Sequence, residues 1–291
     1  MRAVVTGAAG FLGRHVARQL VDSGWNVAGF DLSTIDESRV EQIGGDLTDQ
    51  ASVGDALAGS DVVFHIGAVG DVYLAGDQPE LAATVNVVGT ANVAQAAVHV
   101  GARVVYASTW EVYGEPISEP VDEEHPTNPD HPYSITKLAG ESLLLAACRL
   151  QGLDAIALRL GTAYGSGMRD NSVFSIFRNR AMRGEPITIQ GDGSQTRQFT
   201  HASDIARAFE LAARSQVTGT AFNIVSPETT SIRELAERVV TRYPTELVFG
   251  PPRPGDVPPA KVSSKKAEAE LDWTARVSFA EGMERFLDSD G

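Results

Sequence analysis

Apolar and polar positions in the first 160 residues alternate between two periods. Short β-branched runs at Ala3–Thr6, Asn26–Phe30, Asp61–Ile66, Arg103–Ser108 and Ala155–Leu160 read as buried strands. Between them, helical spacing of apolar residues predicts helices over Phe11–Ser23, the alanine-rich Leu81–Val100, and Pro132–Gln151, which opens on a proline. Strand and helix in alternation imply βαβ units. The expected class is therefore α/β, a doubly wound parallel sheet.

Past residue 161 the pattern loosens. Short helices such as Ser172–Arg183 and Ser231–Thr241 are separated by turns like GDGS at 191–194. The segment Gly250–Ala260 carries five prolines, too many for a regular element, and reads as an ordered loop because a helical pattern follows it. We expect residues 1–165 to form the main domain, and 166–291 mainly a smaller substrate-binding lobe that returns strands to the sheet.

Composition narrows the function classes. A net charge of −14 over 291 residues argues against a nucleic-acid partner, which needs cations for the phosphate backbone. It leaves room for a small anionic ligand held at a local site. Cys148 stands alone, so no intramolecular disulfide is expected and a reducing cytoplasm fits; no Cys/His spacing suggests a metal. Residues 1–13 lack a long apolar run and no uncharged run of about 18 consecutive apolar residues occurs, so neither a signal peptide nor a membrane is expected.

The first chemical signal is TGAAGFLG at 6–13, between a strand and a helix. In that context Gly7 makes the tight turn, Gly10 lets backbone approach a pyrophosphate, and Gly13 permits close helix–sheet packing. The spacing is one residue longer than the common G-x-G-x-x-G. Asp31 ends the second strand, where an acid binds the hydroxyls of an adenosine ribose. Its carboxylate repels a 2′-phosphate, so NAD is expected as cofactor rather than NADP. The predicted fold is then Rossmann-type.

Tyr133 and Lys137 lie four apart at a helix start and share a face. A free tyrosine has a pKa near about 10, too high for a base at neutral pH, and a neighbouring lysine cation favours the phenolate. Alone the pair arises often by chance. Here it follows a hydroxyl cluster, Ser108 and Thr109, at the C-terminal end of a strand, the edge where open α/β sheets bind ligands.

Together these motifs resemble the extended short-chain dehydrogenase/reductases, in the NAD-dependent epimerase/dehydratase group acting on nucleotide sugars. The resemblance runs nearly the full length, through GDLTD (45–49), HIGAV (65–69), NVVGTANV (86–93), YASTWEVYGEP (106–116), PYSITK (132–137), LRLGTAYG (158–165), GDGSQTRQF (191–199) and RPGDVPPAK (253–261). It implies cofactor contacts from Gly7, Gly10, Phe11, Leu12, Gly13, Asp31, Asp46, Leu47, Ile66, Gly67 and Ala68. It makes Tyr133 and Lys137 catalytic, with Thr109 as the catalytic hydroxyl. Arg197, Arg253 and Asp256 fall where the nucleotide diphosphate or its ribose is usually held, and Thr109, Tyr133 and Thr162 face the substrate. His65 reads as structural beside the cofactor.

Two departures bear on the reaction. Thr162 stands where the family often has asparagine, and Trp110 stands between Thr109 and Glu111 where thymidine-linked dehydratases carry aspartate. Without that acid, expulsion of a 6-hydroxyl lacks its usual proton donor. Glu111 either removes a proton from C5 or caps a turn. The leading expectation is a UDP-, dTDP- or GDP-hexose 4-epimerase working through a 4-keto sugar. Dehydratase or decarboxylase chemistry using Glu111 is the alternative, and a non-catalytic NAD sensor a remote one. The helices at 81–100 and 132–151 suggest a homodimer.

Overall fold

The computed structural model describes residues 1–252 and 261–288. Strands β1 (Arg2–Thr6), β2 (Asn26–Asp31), β3 (Glu41–Gly44), β4 (Val62–His65), β5 (Arg103–Thr109), β6 (Ala155–Leu160), β7 (Thr162–Tyr164), β8 (Ile187–Gln190), β9 (Thr196–Arg197), β10 (Phe199–His201), β11 (Thr220–Ile224), β12 (Thr230–Ser231) and β13 (Leu247–Gly250) follow in chain order. Seven of them form one parallel sheet in the order β11-β6-β5-β4-β1-β2-β3. The chain runs outward from β1 to β3, then returns to place β4 on the other side of β1. The crevice between the C-terminal ends of β1 and β4 is the switch point where such sheets bind ligands.

Strands in the sheet centre are apolar because both faces are covered. On one face, helix Phe11–Asp22 packs against Ala202–Arg214, with Val16, Leu20, Ile205 and Phe209 closing a core over Val5 and Phe64. On the other, helices Gln50–Leu57, Gly89–Val100 and Pro132–Gln151 cover Val4, Val63, Val104 and Ala157. Residues beyond 160 therefore contribute to both layers, through Ala202–Arg214 and through β11 at the sheet edge.

A separate core lies under the later chain. Phe174 sits 4.9 Å edge-on to Phe199 and 5.1 Å in a stack with Tyr164, and Phe279 and Phe286 close the cluster. Its helices Val173–Met182 and Ile232–Arg242 begin where Ser172 and Ser231 accept hydrogen bonds from Ser175 N and Glu234 N.

The alanine-rich helix differs from expectation. It begins at Pro79 and loosens into a wider π turn over Thr84–Val88 before Gly89–Val100. By mean hydropathy and length Pro79–Val100 is apolar enough to cross a membrane. Its inward side packs against the neighbouring helices and the sheet core.

Candidate active site

Gly7 has φ +69°, and a Cβ there would lie 2.6 Å from Gly67 Cα; a Cβ on Gly13 would lie 1.9 Å from Gly7 O. Side chains at either position are excluded. The turn thus brings β1, β4 and the first helix into backbone contact. That helix has Gly10 as its N-cap, with no capping side chain and no acid in its first turn. Its positive end, at Phe11 and Leu12, suits a pyrophosphate. Asp31 receives hydrogen bonds from Ala9 N at 3.0 Å and Ser33 N at 2.9 Å, so the end of β2 is tied to the same turn. These features fit a dinucleotide whose ribose carries free hydroxyls.

The opposite wall is Ile66, Gly67 and Ala68 after β4, and a Cβ on Gly67 would press within 2.8 Å of Leu47 Cδ1. Leu47 is buried, and Asn92 Nδ2 holds its carbonyl at 2.9 Å; Asp46 Oδ1 accepts from Thr48 N. His65 sets this wall. Thr90 Oγ1 donates to Asn86 O at 2.6 Å, so it accepts from His65 Nε2–H at 2.9 Å. His65 Nδ1 then accepts from Thr6 Oγ1 at 2.8 Å, leaving the Thr6 oxygen to accept from Ile66 N and Gly67 N, each at 3.1 Å. Burial, helped by the Lys137 charge, lowers the imidazole pKa to about 3 and keeps it neutral.

Tyr133 and Lys137 project from the first turns of Pro132–Gln151. That turn is fixed by Pro132 at its start and by His131, whose Nδ1 accepts from Tyr133 N at 3.2 Å. Thr136 Oγ1 donates to Tyr133 O at 2.9 Å and accepts from Asn86 Nδ2 at 3.0 Å. Asn86 also accepts from Val69 N at 2.7 Å, so the segment after β4 and helix Pro132–Gln151 share one bracket.

Thr109 ends β5 and stands by the Tyr133 phenol, whose ionisation its hydrogen bond favours. Its Oγ1 also accepts from Glu111 N at 3.3 Å, capping the short turn Trp110–Tyr113. The cap is therefore the Thr109 side chain. The expected hydroxyl cluster is divided: Ser108 Oγ donates to Glu141 Oε2 at 2.6 Å, in a buried network with Arg159 and Tyr113. Adjacent strand residues point to opposite faces, and only Thr109 faces the site.

The electrostatics correct a second expectation. Burial, then the Glu111 carboxylate, raise the Tyr133 phenol pKa well above its ordinary value; Thr109 and Arg169 oppose them. Lys137, buried with Nζ 4.2 Å above the Tyr106 ring, is lowered to about 7 by desolvation, against Glu141. The pair alone does not make a phenolate at neutral pH. Glu111 is raised to about 7 by burial, against the pull of Arg197 and with a push from Asp130.

Trp110, Thr162, Arg197 and Gln198 line one pocket with Val225 and Val262. Arg197 Nη1 donates to Thr196 O at 2.7 Å. Gln198 ties Val262 into this wall, accepting from its N at 2.7 Å. Arg253 and Asp256 lie outside the described residues. Sequence reasoning passed over Arg169, whose charge acts on Tyr133 and whose Nη1 pairs with Asp71 at 3.0 Å. The available signal was a turn flanked by Gly165 and Gly167, both at positive φ.

The family model for the NAD dependent epimerase/dehydratase family matches residues 3–225, and the chain belongs to that family. It is an NAD-dependent enzyme. Among curated proteins it is 34% identical to a UDP-glucose 4-epimerase of Mycolicibacterium smegmatis, covering 99% of this chain and 98% of that one. It is 31% identical to a dTDP-glucose 4,6-dehydratase of Streptomyces niveus, covering 97% and 90%. Among solved structures, MoeE5 in complex with UDP-glucose and NAD superposes with a TM-score of 0.91 at 35% identity, covering 99% and 98%.

Proposed function

We propose that this enzyme acts on a nucleotide sugar as a nucleoside-diphosphate-hexose 4-epimerase, with a UDP-linked substrate. The observation that carries the reading is the disposition of Thr109, Trp110 and Tyr133. The phenol has a hydroxyl partner in Thr109, and an indole lines the pocket with Thr162 and Arg197 at the sequence position where, by resemblance, thymidine-linked dehydratases carry aspartate. Similarity to a UDP-glucose 4-epimerase favours uridine over the other nucleotides.

When bound, NAD supplies reversible oxidation at C4, and its positive nicotinamide adds the charge that the phenol needs. Tyr133 takes the 4-hydroxyl proton and returns it, steadied by the Thr109 hydroxyl. Lys137, lowered to about 7 by burial, would gain its full charge on binding the anionic cofactor and then favour the phenolate. Arg197, with Arg253, anchors the diphosphate so that the sugar can turn while its nucleotide stays in place. Gly7, Gly10, Gly13 and Asp31 hold the dinucleotide.

Glu111 favours a second reading. A half-buried carboxyl with a pKa raised to about 7 beside Tyr133 is suited to remove a C5 proton in dehydration, or to serve in decarboxylation. Incubation with UDP-, dTDP- and GDP-sugars, read by mass spectrometry and proton NMR, separates them. Unchanged mass with inverted C4 supports the epimerase; loss of water or carbon dioxide supports the second reading.

A homodimer completes the proposal. Leu81 and Val88 are 40% and 49% exposed, seven residues apart on one helix, and Ile135 and Leu143 are 48% and 40% exposed on the next. Apolar faces of this kind suit pairing across a two-fold axis.

A further inference from the structure

Residues 165–171, which follow β7, bridge the cofactor crevice. On the β1 side, Arg14 Nη2 donates to Gly167 O at 3.1 Å, and His15 Nε2 meets Ser166 O at 3.0 Å; both come from the helix that opens the glycine turn. On the β4 side, Arg169 Nη2 donates to Gly70 O at 3.2 Å and its Nη1 pairs with Asp71 at 3.0 Å. Asn171 Nδ2 donates to the same Asp71 Oδ2 at 2.9 Å. β1 and β4 border the switch point, so these contacts tie a strap across the mouth where a dinucleotide enters.

Asp71 is the shared point. Its Oδ1 accepts from Tyr73 N and Leu74 N and caps helix Val72–Asp77, while its Oδ2 takes both strap contacts. The carboxylate is mostly shielded, at 17% exposure, whereas Arg169 is 56% exposed. The strap side is thus the more easily released. Gly165 and Gly167, at φ +147° and +76°, occupy conformations that other residues rarely adopt, which shapes the bend between the two anchors.

We propose that Asp71 is a positioning residue that clasps the strap, through Arg169 and Asn171, over bound NAD and sets the rate at which the cofactor exchanges. An enzyme that regenerates its NAD in each cycle gains nothing from releasing it, and a clasp made of one ion pair and one amide-to-carboxylate hydrogen bond gives slow, finite exchange. The clasp also holds Arg169 near enough to favour ionisation of Tyr133.

The test uses the full chain loaded with isotopically labelled NAD and diluted into excess unlabelled NAD, so it needs no substrate. Asn171→Ala removes one strap contact and leaves the helix cap intact. Asp71→Asn keeps a capping oxygen but removes the charge. Each is expected to speed loss of label by roughly three- to tenfold, the scale of a partly exposed polar contact. Because an open strap also admits NAD faster, the association rate should rise too, and the equilibrium Kd should change less than either rate. In about 1 M salt, wild-type exchange should quicken while that of Asp71→Asn changes little. Unchanged exchange in Asn171→Ala overturns the proposal even if Asp71→Asn fails to fold. So does faster loss with an unaltered association rate, since that marks ordinary ligand contacts rather than a clasp.

Discussion

The Glu111 carboxylate and the Tyr133 phenol are coupled: after burial, Glu111 is the largest influence raising the tyrosine's pKa, while its own stands at about 7. A carboxyl raised by burial is neutral below that pH and charged above it. Its proton therefore affects both the proposed base, Tyr133, and any anionic substrate bound beside Arg197. Affinity for a UDP-hexose, whose diphosphate does not titrate near neutrality, should fall as pH rises from about 6 to about 8. In Glu111→Gln the fall should vanish; calorimetric titration at several pH values checks this.

The same raised pKa affects stability. Folding must hold Glu111 protonated or tolerate a buried charge, so its contribution becomes unfavourable above the unfolded carboxyl value and is fully so above about 7. The cofactor-free Glu111→Gln chain should gain in Tm relative to wild type as pH rises from about 4.5 to about 7, then hold a constant lead. A lead that shrinks over that interval contradicts the assignment.

Tyr133→Phe keeps the ring and removes the proton acceptor. Turnover should fall by about 10²–10⁴-fold, the usual worth of a general base. NAD binding, measured by calorimetry, should stay near wild type if, as proposed, the glycine turn and Asp31 carry it.

Asp31 should select the cofactor. Its carboxylate lies against the glycine turn through Ala9 N, where a 2′-phosphate meets repulsion. NAD should bind better than NADP, and Asp31→Ala should narrow the difference in titrations with each.

Arg197→Ala should weaken UDP binding by about 1.5–3 kcal/mol, the range of a charged hydrogen bond, with NAD affinity little changed. The paired titrations separate loss of a diphosphate contact from general damage.

The sheet centre was legible because β1, β4, β5 and β6 are short, mainly apolar runs buried on both faces. β3, EQIG, carries a single large apolar residue at the sheet edge and gave no such signal. Helix Ala202–Arg214 is amphipathic, with Ile205 and Phe209 buried, yet its place beside Phe11–Asp22 is a tertiary fact. At the site, the Gly7 turn and the shared helix of Tyr133 and Lys137 were readable because each lies within one local stretch of chain. Ser108 was misplaced because strand alternation was not applied to it. Arg169 and Asp71 are 98 positions apart in sequence, where no local period connects them.

The most direct test of the epimerase account is turnover of a UDP-hexose in deuterium oxide, followed by mass and proton NMR analysis of the product. Oxidation and reduction at C4 move a carbon-bound hydrogen to the cofactor and back without releasing it to solvent, and Glu111 takes no proton from C5. The account predicts a product of unchanged mass, inverted at C4, with no deuterium at C4 or C5. A product lighter by one water or one carbon dioxide, or carrying deuterium at C5, contradicts it.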